Sequence, residues 1–271
     1  MKKKFVTTTY QLNKYLPNGP QAGCLRFVFV SDLHNVLLGM HNEELLAAIK
    51  RQKPDAVLIG GDMIVGKPGI SMEPAMEFIR NAAGEYPVYY ANGNHEHRLR
   101  IHPEIYGTMY ERLEETLQKA GVIHLVNGTA YGKFGGIPVA IHGFEADQKY
   151  YQRHKKEQMP VSELTTVFGS LDQEHYHILL AHNPVYKDAY LKWGADLTLA
   201  GHCHGGVVRL GEHYGLISTN MKLFYKYCHG KFEGNEGNCM IVSAGMGEHT
   251  VPVRIHNPRE LVVVEIHFTV R

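Results

Sequence analysis

The chain has 271 residues, of which 44% are hydrophobic and 20% are charged. This length and composition are typical of a folded globular protein and exclude an intrinsically disordered one. The 28 basic and 27 acidic residues give a net charge of +1, so the composition provides no signal for nucleic-acid binding. Histidine is unusually frequent, with 18 copies, and its positions matter because imidazole is a common metal ligand.

The cysteines and the amino terminus exclude several other classes of protein. The four cysteines are far apart and form no C-x-x-C pair, which predicts reduced thiols and no zinc finger. No apolar run reaches the roughly 18–20 residues of a membrane helix. The start, MKKKFVTTTYQLNKYLPNG, has no apolar stretch after its lysines, so we expect no secretory signal and a cytoplasmic location. The lysines are interpreted as a solvated terminus, with a weak contact to an anionic membrane surface as the alternative.

The first half of the chain alternates apolar strands with amphipathic helices. Strands are predicted over 24–30, 56–61 and 87–94. Helices are predicted over 42–52, 73–84 and 108–121. Asn42 is a plausible N-cap of the first helix, and Gly84 ends the second. This alternation predicts an α/β domain with parallel strands.

The second half is richer in strands. Residues 122–144 are predicted to form short strands joined by glycine and asparagine turns, so this sheet has antiparallel members. Strands at 176–184 and 195–202 flank a short helix, and strands predominate after 206. The polar segment 145–175 is interpreted as an exposed insertion with one short helix. We therefore expect a single domain over the whole chain, with 145–175 and 220–237 as insertions on the substrate side.

Five of the predicted strands end in aspartate, asparagine or histidine. In chain order these residues are Asp32 and His34, Asp62, Asn94 and His95, His182, and His202 and His204. In open α/β sheets, binding sites form beyond the carboxyl ends of the strands. We therefore expect the five loops to converge on one cavity.

Each motif alone also has a structural explanation. An Asp-x-His or Gly-Asp after a strand is usually a turn or a cap, and a lone His182 is more often a hydrogen-bonded core histidine. The hexapeptide GHCHGG, at 201–206, could form a Cys/His metal site by itself. The occurrence of five such motifs, each at a strand end, favours one shared site.

The types of side chain indicate the class of ion. Carboxylates, an amide and imidazoles without thiolates suit Mn²⁺, Fe or Zn²⁺. Seven ligands are too many for one catalytic ion that keeps an open position. They fit two ions about 3.5–4 Å apart that share a bridging carboxylate. The predicted cofactors are two divalent metal ions, with Mn²⁺ favoured and Fe, Zn²⁺ or Mg²⁺ as alternatives.

The ordered motifs resemble those of the calcineurin-like metallophosphoesterase superfamily. They are DLH at 32–34, GD at 61–62, GNHE at 93–96, the single His182 and GHCH at 201–204. The resemblance covers roughly residues 24–267. Three stretches further resemble the bacterial phosphodiesterase branch similar to YkuE and YaeI: TTTYQLNKYLP, GHCHGGVVRLG and MIVSAGMGEHTVPVRIHNPRELVVVEI. The resemblance implies a four-layer α/β/β/α sandwich with two mixed β-sheets.

The resemblance also implies a role for each site residue. One ion would be held by Asp32, His34, Asp62 and His204. The other ion would be held by Asp62, Asn94, His182 and His202, with Asp62 as the bridge. Asn94 and His95 would contact the substrate, and His95 would not bind metal.

General chemistry agrees with these roles. Two cations beside one water lower its pKa and deliver a bridging hydroxide that attacks phosphorus. They also neutralise the phosphate oxygens. His95 would then protonate the leaving alkoxide as general acid, with Glu96 or Asp62 as an orienting partner. His97 is interpreted as a solvent-exposed or rim residue.

Two motifs are assigned no direct role in chemistry. Cys203 is predicted to pack in the interior, because in an extended His-x-His segment the middle side chain points away from its neighbours. GDMIVGKP, at 61–68, nearly matches a P-loop. Pro68, however, replaces the hydroxyl residue that would bind Mg²⁺, and Asp62 is already a predicted ligand.

The sequence therefore predicts a dinuclear metal-dependent phosphoesterase that acts on phosphodiesters or a pyrophosphate, with a small-molecule or lipid-linked substrate. The side chains that could contact a base, phosphate or lipid are Tyr150, Tyr151, Lys155, Lys156, Tyr225 and Lys226. The alternative for these is an ordinary exposed surface. Two other functions stay open: hydrolysis of a nucleotide-sugar-lipid pyrophosphate, and a non-catalytic scaffold on the same fold, against which the intact ligand set argues.

Overall fold

A computed structural model describes residues 4–15, 22–151, 158–211, 213–217, 223–248 and 253–269. Within these ranges the chain forms two six-stranded sheets and a small three-stranded sheet, together with seven α-helices. The helices are α1 (Glu43–Gln52), α2 (Glu73–Ala83), α3 (Asn94–Ile101), α4 (Pro103–Tyr106), α5 (Met109–Lys119), α6 (Ser162–Phe168) and α7 (Lys187–Trp193).

The strands follow the same numbering along the chain. The first eight are β1 (Phe5–Tyr15), β2 (Gly23–Val30), β3 (Ala56–Ile59), β4 (Val88–Ala91), β5 (Ile123–Leu125), β6 (Gly128–Phe134), β7 (Ile137–Phe144) and β8 (Tyr176–Ala181). The others are β9 (Leu197–Ala200), β10 (Arg209–Leu210), β11 (Tyr214–Ile217), β12 (Leu223–Lys226), β13 (Gly230–Glu233), β14 (Cys239–Val242) and β15 (Arg259–Thr269).

Both large sheets are mixed, as predicted. The first has the order β1-β15-β2-β3-β4-β5, and β2 to β5 run parallel. The second has the order β13-β14-β9-β8-β7-β6, and β14, β9, β8 and β7 run parallel. Antiparallel strands flank each parallel core, because β15 pairs with β2 and β6 pairs with β7 in that sense.

Three apolar clusters separate four layers of secondary structure. One cluster lies between the two sheets and joins Phe29 and Leu58 of the first to Ile178 of the second. A second cluster packs the first sheet against α1, α2 and α5, through Phe78 and neighbouring side chains. A third covers the other face of the second sheet with α6 and α7. The predicted α/β/β/α sandwich is confirmed.

The strand β1 has no counterpart in the sequence prediction. It pairs parallel with β15 along all of Phe5–Tyr15 and forms the edge of the first sheet. Among its side chains only Leu12 is buried. An edge strand of this kind needs few apolar residues, so its sequence resembles that of a polar terminus.

The segment 145–175, interpreted as an exposed insertion, contributes to the core. The predicted short helix is present as α6. Tyr150 and Leu164 are buried in the cluster against the second sheet. Lys155 and Lys156 lie outside the described residues. The segment 220–237 includes β13, which is the edge strand of the second sheet.

A buried histidine pair joins neighbouring strands of the second sheet. His142 lies on β7 and His177 on β8, with His142 Nε2 3.0 Å from His177 Nδ1. The other ring nitrogen of His142 lies 2.8 Å from the Thr129 hydroxyl. Burial, together with the adjacent His177, lowers the pKa of His142 to about 4.

This pKa makes the stability of the fold depend on pH. The folded-state pKa lies below the unfolded value of about 6.5. At a pH between these two pKa values, the unfolded chain therefore binds more protons than the folded chain. Lowering the pH from 7 to 5 should therefore reduce the free energy of unfolding by about 2 kcal/mol through His142 alone. We expect His142→Gln to remove this component, measured as the difference between urea unfolding free energies at pH 7 and pH 5.

Exposed His256 provides the control for this measurement. The variant His256→Asn should keep the wild-type pH dependence, because its imidazole is exposed in the folded chain. An unchanged pH dependence in His142→Gln would contradict the assignment.

Candidate metal centre

The carboxyl ends of the parallel strands of both sheets meet along one edge of the sandwich, here called the site edge. The loops that follow β2, β3 and β9 there adopt left-handed backbone conformations at Asp32, His34, Asp62, His202 and His204. Such values are uncommon for residues other than glycine and cost about 1–3 kcal/mol each. They persist only where surrounding contacts hold them.

Hydrogen bonds between loops supply those contacts. Asp32 N–H donates to Gly61 O at 3.0 Å, and His34 N–H donates to Asp62 O at 3.2 Å. His202 N–H in turn donates to the Asp32 carboxylate at 3.0 Å. The loops after β2, β3 and β9 therefore fix one another across the two sheets.

Two glycines allow this close approach. A Cβ atom at Gly93 would lie 2.3 Å from Asp62 Oδ1, and one at Gly201 would lie 2.3 Å from Asp32 Oδ2. Any side chain at either position would displace a carboxylate. This explains why glycine precedes Asn94 and His202.

One group of side chains lies between the loops after β2 and β9. Asp32, His34 and His204 have potential ligand atoms within 4.8 Å of one another. His34 Nε2 lies 3.1 Å from His204 Nε2, and His204 Nε2 lies 3.4 Å from Asp32 Oδ1. The imidazoles of His34 and His204 are stacked, with centroids 4.9 Å apart.

A second group joins the loops after β3, β8 and β9. It contains Asp62, His182 and His202, again within 4.8 Å. His182 Nε2 lies 3.1 Å from Asp62 Oδ2 and 3.8 Å from Asp32 Oδ1. Asp62 also belongs to a third such group, with His34 and His95. The carboxylate of Asp62 is thus shared between the two sides of the site.

Three histidines are oriented in the same way. His34 Nδ1 faces Ile64 O at 3.2 Å, and His182 Nδ1 faces Gly60 O at 2.7 Å. His95 Nδ1 makes a short contact with Val65 O. A carbonyl partner fixes the proton on Nδ1 and leaves Nε2 free to bind a cation or to transfer a proton.

The charges of the site are strongly coupled. Burial raises the pKa of Asp62, but the imidazoles of His182, His95 and His34 outweigh it and hold that pKa well below the usual range. Burial lowers the pKa of His182, and the charge of Asp62 overcomes this and raises it to about 10. The buried carboxylate of Asp62 is therefore ionised and stabilised by positive charge beside it.

His95 lies beside this carboxylate at the start of α3. Its backbone N–H donates to Asp62 Oδ1 at 2.8 Å, and its Nε2 lies 3.9 Å from Asp62 Oδ2. Burial lowers the pKa of His95, Asp62 raises it, and the charge of Arg98 lowers it. The imidazole is half-buried at the site edge.

The donor set fits divalent cations. Asn94 begins α3, and its Oδ1 atom is buried without a hydrogen-bond partner. A buried amide oxygen of this kind is costly unless it contacts a donor or a cation. The oxygen and imidazole ligands suit ions such as Mn²⁺, Fe or Zn²⁺. The predicted ligands Asp32, His34, Asp62, His182, His202 and His204 lie in the overlapping groups, and Asn94 directly precedes His95 of the third group.

Glu96 holds the loop after β3 and does not orient His95 directly. Its carboxylate accepts from the N–H groups of Asp62, Met63 and Gly93 at 2.8–2.9 Å. It also accepts from the Tyr90 hydroxyl at 2.9 Å. Of the two orienting partners expected for His95, Glu96 is therefore wrong, whereas Asp62 contacts His95.

The expectation that His97 lies on the rim is also wrong. His97 is 5% exposed, and its Nδ1 lies 3.0 Å from Glu145 Oε2. Glu145 follows β7 at the site edge and accepts from Asn92 Nδ2 at 2.8 Å. The carboxylate of Glu145 therefore contacts residues at both ends of the segment 92–97 and holds this loop in place. Its position after a strand could have revealed it, but the sequence analysis did not select it.

The hexapeptide GHCHGG is a series of tight turns and not an extended segment. His202, His204, Gly205 and Gly206 all have positive φ. The reason given for burying Cys203, alternation along an extended chain, is therefore wrong, although its side chain is buried as predicted. Burial raises the pKa of the Cys203 thiol well above its usual range, and Tyr225 hydrogen-bonds to it.

A C-terminal segment holds this hexapeptide in place. Asn257 Nδ2 donates to His204 O at 2.6 Å and also bonds to Gly206 O. The Arg254 guanidinium donates to Ala244 O at 2.9 Å and to His204 O at 3.4 Å. The sequence analysis did not identify Arg254 or Asn257, since neither follows a predicted strand.

The remaining substrate-side side chains have mixed exposure. Tyr150 is buried and its hydroxyl donates to Glu163 at 2.6 Å. Tyr151 packs 5.5 Å from His97, and Tyr225 contacts Cys203, so both lie close to the site loops. Lys226 is exposed and lies over the ring of Tyr227.

The fold and the clustered ligands define a metal-binding α/β/β/α protein, and comparisons with known proteins give its family. The family model of calcineurin-like phosphoesterases matches residues 25–206. The chain belongs to this family and is a metal-dependent phosphoric ester hydrolase, a metallophosphoesterase.

Several relatives match along most of the chain. It is 27% identical over 262 residues to the uncharacterized protein YpbG of Bacillus subtilis, covering 96% of this chain and 86% of that protein. It is also 27% identical over 194 residues to phosphodiesterase YaeI of Escherichia coli, covering 70% of this chain and 64% of that one.

Among solved structures, the NAD nucleotidase of Haemophilus influenzae shares the fold, with a TM-score of 0.53 and 17% identity. The match covers 84% of this chain and 46% of that one. In the described ranges, every helix is too short or too polar to cross a membrane.

We expect Asn257→Ala to destabilise the turns of the hexapeptide GHCHGG locally. The variant loses the donors to His204 O and Gly206 O, so the strained turn should open and the amides of residues 202–206 should exchange faster by at least tenfold. Hydrogen exchange followed by mass spectrometry measures this.

Asn238 is a matched control for that variant. It is also buried, and its Nδ2 donates to Leu191 O at 2.9 Å, away from the site edge. Asn238→Ala should lose a comparable 1–3 kcal/mol of stability without faster exchange at 202–206. Equal protection of the hexapeptide in both variants would contradict the role of Asn257.

Proposed function

We propose that this chain is a dinuclear phosphoesterase that hydrolyses small-molecule phosphodiesters or pyrophosphates. One divalent ion is held by Asp32, His34, Asp62 and His204. The other is held by Asp62, Asn94, His182 and His202. The observation that carries the proposal is the position of Asp62, whose carboxylate lies in one group with His182 and His202 and in another with His34 and His95, so that it adjoins ligands proposed for both ions.

Three further observations support the proposal. The buried Oδ1 atom of Asn94 lacks a hydrogen-bond partner, as expected of a metal ligand. The Nε2 atoms of His34 and His204 face each other at 3.1 Å, which suits imidazoles that share a cation. The relative YaeI is named a phosphodiesterase, which favours a diester substrate.

When bound, the two ions would supply positive charge for the phosphate oxygens and an activated water for attack on phosphorus. The chain positions the groups around that reaction. Asp62 and Glu96 hold the loop after β3, and Gly93 lets the start of α3 approach it closely. The amide of Asn94 would also contact the substrate phosphate.

His95 would act as the general acid. Its Nδ1 is held by Val65 O, so its Nε2 is presented at the site edge. The backbone of Gly66 supports the ring from the side, because a Cβ atom there would lie 3.2 Å from His95 Nδ1. A proton on Nε2 can be given to the leaving oxygen as the P–O bond breaks.

The proposed bridging role of Asp62 leads to a prediction about the metal content of the protein. Asp62→Asn keeps the side-chain volume and can still accept from His95 N–H, but a neutral amide cannot bridge two cations. We expect the two Mn²⁺ ions per wild-type chain to fall below one, measured by equilibrium dialysis and elemental analysis. Asp188→Ala, at a carboxylate whose side chain is 91% exposed, should retain both. Two ions in Asp62→Asn would contradict the bridging role.

The proposed role of His95 as general acid leads to a separate prediction about the rate of hydrolysis. With Mn²⁺ and bis(p-nitrophenyl) phosphate, His95→Gln should lower kcat by about 10²–10⁴-fold while it retains both ions. His175→Gln, at a histidine that precedes β8 and bonds to Asp172, should leave the rate unchanged. Loss of ions from His95→Gln would mean that His95 is a ligand. Wild-type turnover no faster than that of His95→Gln would support the scaffold alternative.

A further inference from the structure

Helix α3 presents one partly exposed face at the site edge. The residues of this face, including the one after the helix, are Asn94, His95, Arg98, Ile101 and His102. At 100° per residue they occupy roughly 120° of the helix circumference. Outside this face Glu96 and Leu99 are buried, whereas Arg100 is exposed and paired with Glu145. The open face of α3 therefore begins with two proposed site residues.

Arg98 lies on this face between Asn94 and His95. It is four residues after Asn94, which corresponds to a rise of about 6 Å. Side chains on a helix lean towards its amino terminus, so the Arg98 side chain extends back towards the site edge. The charge of Arg98 also lowers the pKa of His95, as expected of a guanidinium close to that imidazole.

Among the residues that the structure describes, none supplies a counter-charge to the guanidinium of Arg98. No hydrogen bond or ion pair joins it to any residue in the described ranges, and its Nε atom is buried without a partner. Arg100, two residues further on, is paired with Glu145, and Arg26 lies 2.7 Å from Glu265. A buried, unpaired N–H is costly, so its retention beside the site indicates a ligand that accepts from it.

We propose that Arg98 binds a phosphate carried by the leaving group of the substrate. The inference rests on the proposed function, in which His95 protonates the leaving oxygen and so marks the leaving-group side. A guanidinium matches the geometry of a phosphate and binds it through two parallel hydrogen bonds. The substrate class is therefore a phosphoanhydride, in which the leaving group is itself a phosphate.

The reaction balances as an ordinary hydrolysis. Water gives its oxygen to the attacked phosphorus and loses one proton to the solvent. The bridging P–O bond breaks, and its electron pair stays on the leaving phosphate oxygen. His95 gives that oxygen a proton and is later reprotonated from the solvent. Arg98 offsets the negative charge on the leaving phosphate.

Two substrates that differ in the leaving group test this role. The leaving group of bis(p-nitrophenyl) phosphate has no phosphate, whereas adenosine diphosphate and inorganic pyrophosphate both release one. With the Mn²⁺-loaded protein, Arg98→Met should lower kcat/KM for the two anhydrides by about 10–100-fold, the usual loss of a charge-assisted pair. It should change kcat/KM for bis(p-nitrophenyl) phosphate by less than about threefold.

Two further variants sharpen the test. Arg98→Lys restores the charge but not the paired hydrogen bonds, so it should recover part of the anhydride activity. Arg112→Met, at an exposed arginine on α5, should leave both activities unchanged. Thermal melting should show Arg98→Met as stable as the wild type, because the lost guanidinium makes no bond within the described chain.

The outcomes separate this inference from the proposed function. Equal losses on all three substrates, or none, would overturn the role of Arg98. Wild-type turnover of bis(p-nitrophenyl) phosphate without turnover of either anhydride would also overturn it, and would leave the phosphoesterase proposal in place. Absence of turnover on all three substrates would overturn both.

Discussion

The arrangement of this molecule depends on one buried, ionised carboxylate. Asp62 is 2% exposed and belongs to two groups of potential metal ligands. A buried negative charge is stable only beside positive charge and hydrogen-bond donors. The imidazole of His182, whose pKa Asp62 raises to about 10, provides the positive charge, and the backbone N–H of His95 provides a hydrogen-bond donor. The strands that carry these residues must therefore end at the same edge.

Two sets of hydrogen bonds maintain the left-handed backbone conformations at the site edge. Glu96 accepts from three backbone N–H groups and fixes the loop that carries Asp62. Asn257 and Arg254, on a segment far along the chain, hold the turn that carries His202 and His204. The positive φ values at the site are thus supported by residues that do not themselves belong to the ligand groups.

Helix α3 links this centre to the residues proposed to contact the substrate. Its buried side holds Glu96 and His97, which tie the helix to the loops after β3 and β7. Its open side carries Asn94, His95 and Arg98. A single short helix therefore carries a proposed metal ligand, a proposed proton donor and a guanidinium, because consecutive turns place them on one surface.

The sequence by itself determined the strand–helix alternation and the residues at five strand ends. Buried strands are apolar and their polar ends stand out, so local pattern suffices for these. The four-layer sandwich was implied by the family resemblance of the motifs. The sequence did not reveal β1, because an edge strand buries few apolar side chains. It also did not reveal the turns of GHCHGG, since histidine seldom adopts a left-handed backbone conformation. Only the tertiary structure decided which ligands share a group, and that Glu145 and Asn257 brace them. Such contacts join residues far apart along the chain and leave no local signature in the sequence.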